Sequence, residues 1–156
     1  MRPLLFSLLL AGCATVGTTG PLPPPPIEDA RALLDEIIDG GIQGDFERLC
    51  RNASSTCHRE LEGHEHLAPN EPPSVADAAI HQPVLDADGG TSGGVRFVLC
   101  GVDAAGAPFE SEVLVFDAGD RLLAGAAVWW LGTRVSFASP GDAVTGERTP
   151  GEKRCP

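Results

Sequence analysis

Histidine and cysteine are the side chains best placed to do chemistry in this 156-residue chain, and their spacing sorts them. His64-Glu65-His66 sets two imidazoles two residues apart, where an extended backbone points both the same way. Cys57-His58 stands a few residues earlier, and Glu62 lies between. This is the one cluster with metal-ligand chemistry. His58, His64 and His66 nevertheless sit on a polar stretch, where solvated imidazoles are the commoner outcome, so no metal and no cofactor is expected. Gly90-Thr91-Ser92-Gly93-Gly94 spells the G-x-S-x-G nucleophile elbow, which needs a strand before it, a helix after it and a histidine later in the chain. Here strand-type sequence follows, and His58, His64, His66 and His81 all come earlier. The segment is read as a hairpin turn, and no catalytic residue is assigned. Asp86-Ala87-Asp88-Gly89 opens like a calcium loop, but Thr91 and Phe97 occupy the places that require Gly and Glu.

Four of the five cysteines, Cys50, Cys57, Cys100 and Cys155, form an even set that allows three pairings. A local Cys50–Cys57 bridge would close a short loop and leave Cys100–Cys155 to pin the tail to the body. In an exported chain such a set favours two disulfides over free thiols. Charge narrows the partners. Eleven Lys+Arg against 22 Asp+Glu give a net charge of -11, which repels phosphate backbones and argues against nucleic acid.

The start of the chain says where the protein goes. Arg2 precedes an apolar run, Leu4, Leu5, Phe6, Leu8, Leu9 and Leu10, and small residues Ala11 and Gly12 lead to Cys13. These are the parts of an export signal, and the run is too short to span a hydrocarbon core of about 30 Å. Leu10-Ala11-Gly12-Cys13 resembles the lipobox of bacterial lipoproteins. The resemblance implies cleavage after residue 12, a diacylglycerol thioether and palmitate on Cys13, and an envelope protein anchored to a membrane on the extracytoplasmic side. The expected organisation is a signal peptide over 1–12, a lipidated Cys and Pro-rich tether over 13–26, an α+β domain over 27–137 and a disulfide-pinned tail over 138–156. Pro23–Pro26 is expected to be extended polyproline, lifting the domain off the bilayer.

The elements change period midway. Ile27, Ala30, Leu33, Leu34, Ile37 and Ile38 recur at helical spacing, predicting a helix over Ile27–Asp39 stopped by Gly40-Gly41. Helical stretches over about Gly44–Arg51 and Cys57–Leu61 follow, then a loop over Glu62–Pro73. Beyond it the period is two: a ragged strand within 74–86, then strands Val95–Val102 and Phe109–Phe116. A long last strand, Leu122–Phe137, is expected with a bend at Gly125 or Gly132. Leu122–Leu131 is apolar on both parities, so both of its faces should be covered. Alternation would send Trp129 and Trp130 to opposite faces, one under the first helix near Leu34 or Ile38 and the other toward a ligand or partner.

Helices first and strands after describe an α+β domain, with the N-terminal helices packed on a bent antiparallel sheet. The order and the Val128-Trp129-Trp130 ending resemble the cone-shaped NTF2-like or cystatin-like group. That resemblance brings acid–base enzymes into view, with Asp77, His81, Glu110 and Glu112 as inward candidates. Such enzymes commonly use a tyrosine donor, and this chain has no tyrosine. The expected role is therefore binding or scaffolding without chemistry, toward an envelope protein or a small apolar ligand. The alternatives are an NTF2-like envelope enzyme and an accessory subunit of a larger envelope complex.

Overall fold

Ala30, Leu34, Ile37 and Ile38 make one apolar face, and the chain coils over Ile27–Gln43 (α1) to bury it. The computed structural model describes residues 20–83, 92–135, 143–144 and 155. Glu28 and Asp29 sit in the first turn of α1, where the helix dipole favours negative charge. The helix does not stop at Gly40-Gly41 as its composition suggests. It runs on to Gln43 and ends at Gly44, whose φ of 67° is the left-handed cap that glycine adopts without strain. The two internal glycines serve packing. A Cβ on Gly40 would stand 3.2 Å from Leu49 Cβ, and one on Gly41 would stand 3.0 Å from the Trp130 ring.

Asp45 caps the next helix, Phe46–Arg51 (α2), its carboxylate accepting the Arg48 N–H at 3.1 Å. A third helix spans Cys57–Leu61 (α3), and the Cys50–Cys57 disulfide ties it to α2. A 3₁₀ turn, Glu65–Leu67, interrupts the polar loop that follows.

The sheet is an antiparallel meander of Ser74–His81 (β1), Gly94–Val102 (β2), Pro108–Asp117 (β3) and Leu122–Gly125 (β4), in the order β1-β2-β3-β4. The register of β1 on β2 slips between Val75 and Asp77. One face of the sheet carries Val95, Phe97, Leu99, Phe109, Val113 and Val115 into a core shared with α1, α2 and α3. This is the α+β arrangement expected, helices on one face of an antiparallel sheet.

The last strand is not continuous. β4 pairs with β3 over four residues only. Ala126, with φ 57°, then turns the chain out of the sheet. Trp129–Leu131 forms a 3₁₀ turn, and the chain regains β3 where the Glu112 N–H donates to the Thr133 carbonyl at 2.8 Å. Arg134–Val135 (β5) then pairs with Ala143–Val144 (β6). Because residues 126–132 leave the sheet, strand alternation does not govern the two indoles. Trp129 and Trp130 both enter the helix-side core, 0 % and 3 % exposed. Their rings meet edge-on at 5.3 Å, Trp129 lies 5.6 Å from Phe109, and Trp130 lies 6.2 Å from Phe46. Ala126 and Val135 cover Leu114 on the other face, so both sides of the sheet are covered there.

The cysteines pair as the local arrangement suggests, Cys50 with Cys57 and Cys100 with Cys155. Residues 20–26, the last part of the segment read as a Pro-rich tether, are docked on the sheet. The Leu22 N–H donates to Ser92 Oγ at 3.0 Å, its carbonyl accepts the Gly93 N–H at 2.8 Å, and Pro25 is buried. Pro26, at φ -54° and ψ 140°, keeps the extended conformation that proline imposes up to the first turn of α1.

Candidate functional site

Among the described residues, a concavity lies at the end of the sheet where β2 turns into β3. The turn is built by Asp103, whose Oδ1 accepts the N–H groups of Ala105 and Ala107 at 2.9 and 2.8 Å. The Ala104 N–H donates to the Leu67 carbonyl at 3.1 Å and so fastens the turn to the 3₁₀ segment. The Trp130 Nε1–H donates to the His64 carbonyl, also at 3.1 Å, which holds the indole against the same segment. Between them is a cleft of about 370 Å³ with Phe109 and Trp130 at its base and Leu67 and Leu131 beside them. Asp103, Glu110 and Arg134 supply both charges to its lining. Two smaller hollows, about 290 and 270 Å³, adjoin the same turn. A volume of this order with an apolar base and a few polar groups suits a small amphipathic molecule or one anchoring side chain.

Ionisable residues converge on the opposite face of the sheet. Arg96 is the sole charged residue of β2 and stands on the parity opposite Val95, Phe97 and Leu99. Its guanidinium lies 3.5 Å from Glu112 Oε1 and 3.7 Å from Asp77 Oδ2. The second Glu112 oxygen accepts the Val135 N–H at 3.2 Å and latches β5 onto β3. His81 is coupled to the same group. Three of the four acid–base candidates, Asp77, His81 and Glu112, thus gather around Arg96, while Glu110 goes to the cleft. Sequence reasoning passed over Arg96. A lone charge in an apolar strand, flanked on each side by a strand that carries a carboxylate, was the signal.

His81 titrates below its ordinary value of 6.5, first because partial burial withholds water from the imidazolium, then because Arg96 repels it, with Glu112 pulling the other way. The unfolded chain therefore binds this proton more readily than the folded one. Its contribution to stability is intact above pH 6.5 and is lost as pH falls through the lowered folded value. Urea unfolding at pH 7 and pH 5 tests this, and His81→Asn should lose less stability on acidification than the wild type.

The remaining candidates are dispersed. His58, His64 and His66 are exposed, and His64 Nδ1 is 3.1 Å from the Glu60 carbonyl oxygen. Cys57 is committed to its disulfide, and among the described residues no group of three His, Cys, Asp or Glu could hold a metal ion. Ser92 Oγ receives the Leu22 N–H, and β2 follows it. Cys13, Gly90, Thr91 and the Asp86–Gly89 segment lie outside the described residues. Of the two indoles, Trp130 reaches the cleft and Trp129 is wholly core. Among the described residues no helix is long and apolar enough to cross a membrane. Comparison with protein families, with curated proteins and with solved structures finds no match to this chain.

Proposed function

We propose that the chain is a bacterial envelope lipoprotein in which Cys13, acylated after removal of residues 1–12, holds an α+β binding or scaffolding domain at a membrane surface. The observation that carries this reading is the bridged state of all four other cysteines, Cys50–Cys57 and Cys100–Cys155. Disulfides persist in oxidising compartments, where a chain led by Leu10-Ala11-Gly12-Cys13 would be delivered. Several acyl chains, at about 0.8 kcal/mol per buried CH₂, make a lasting anchor. A first helix followed by a four-stranded meander supports the likeness to the NTF2-like and cystatin-like group. The cleft over Phe109 and Trp130 is where the domain would receive a small apolar molecule with a polar end, or an anchoring side chain of an envelope protein.

Cell fractionation with palmitate labelling tests the anchor. Wild type should label and sediment with membranes. Cys13→Ser should lose the label and move to the precursor or soluble pool. Unlabelled, soluble wild type overturns the reading.

A further inference from the structure

The place where the proline-rich segment docks determines which part of a lipid-anchored domain lies nearest its membrane. Leu22 is hydrogen-bonded to Ser92 and Gly93 just ahead of β2. Pro24 presses on the same spot, so closely that a Cβ on Gly93 would stand 2.7 Å from Pro24 Cδ and 2.8 Å from the His81 carbonyl oxygen. Leu22 Cδ1 also reaches Gly119, in the turn between β3 and β4, where an added Cβ would be 3.9 Å away. The seat is thus one end of the sheet, where β1 finishes, β2 begins and β3 turns.

Covalent geometry sets the reach. From Cys13 to Gly20 a fully stretched chain covers no more than about 25 Å. The far end of β2, at Val102, lies roughly 26 Å further along the strand. Among the described residues three large apolar side chains are exposed: Ile27 at 44 % and Ile80 at 54 % belong to the tethered end, and Val102 at 55 % to the other. Ile80 immediately precedes His81, and Ile27 is three residues past Pro24, hence within about 11 Å of it.

Resting on the reading of Cys13 as the lipid anchor, we propose that the sheet end bearing Leu22, Ile27 and Ile80 faces and touches the lipid surface, and that the cleft over Phe109 and Trp130 is presented away from it. The covalent reach from Cys13 to Gly20 ties this end to the bilayer. The two isoleucines gain by entering the interface.

The test uses mature acylated protein in phosphatidylcholine vesicles whose acyl chains carry bromine, a quencher of tryptophan fluorescence. Ile80→Trp and Ala105→Trp place a probe at an exposed position at each end. Because the ends differ by about 26 Å in height, close to the thickness of the hydrocarbon core, the emission added at position 80 should be quenched about twofold or more beyond that added at 105. Equal quenching, or stronger quenching at 105, in protein that floats with the vesicles overturns the orientation and leaves the anchor standing. Wild type that does not float overturns the anchor reading and the orientation with it. Inserting about a dozen Gly/Ser residues after Thr19 should erase the difference, because a long flexible linker lets the domain tumble. A difference that survives the insertion overturns the short chain as its cause.

Discussion

Replacing Trp129 with alanine is expected to lower the unfolding free energy by about 3–5 kcal/mol. The ring is fully buried between Phe109 and Trp130, and beneath it lies Gly41, which has no side chain with which to fill the space. Neighbouring helix and strand backbones cannot close a gap of that size, so the cavity persists. Loss of two aromatic contacts adds about 0.5–1.5 kcal/mol each to the area term. Trp129→Phe should cost clearly less. It retains most of the apolar volume and removes an Nε1–H that meets no acceptor within the described residues. Trp130→Ala should approach the Trp129→Ala loss, since its ring is 3 % exposed and its indole N–H gives up the His64 carbonyl. Urea titrations of the three variants check the series. A Trp129→Ala midpoint equal to wild type would remove this ring from the core.

Removing the Cys100–Cys155 bridge by paired serine substitution should cost about 4 kcal/mol, and removing Cys50–Cys57 about 2 kcal/mol, in the chain-entropy estimate. The difference follows from sequence separations of 55 and 7 residues. The wider loop restrains most of the sheet in the unfolded chain, whereas the narrow one restrains only the α2–α3 connection. Equilibrium unfolding of both double variants, with reduced wild type as the common reference, reads the ranking. A reversed order would mean that packing around the buried Cys50 and Cys57, 7 % and 1 % exposed, outweighs loop length.

Much of the helical layer and two strands were legible because their patterns have a phase. Ala30, Leu34, Ile37 and Ile38 repeat at the spacing of one helix face, and Val95, Phe97 and Leu99 at the alternation of one strand face. Leu122–Leu131 has no phase, being apolar at every parity, so nothing local tells where the chain leaves the sheet. Ala126 in the left-handed region is a tertiary demand that alanine does not advertise. Gly40-Gly41 misleads for a related reason. Propensity reads a stop, while the close approach of Leu49 and the two indoles requires small residues inside a continuing helix. The cleft draws on residues 64–67, 103–110 and 130–134, three segments brought together only by the fold. The group around Arg96 needed strand register to be seen, since Asp77 and Glu112 meet it from different strands.

The slipped register near the start of β1 bears on how such domains behave when crowded together. β1 is an outermost strand of the sheet, and an outermost strand with a regular ladder is a template on which another chain can polymerise. Between Val75 and Asp77 the ladder is broken, and a break of this kind twists the strand and spoils the spacing that an incoming strand would need. Asp77, with its side chain 46 % exposed, adds a carboxylate that any new neighbour would have to strip of water. At high local concentration, that irregularity protects the fold against edge-to-edge aggregation.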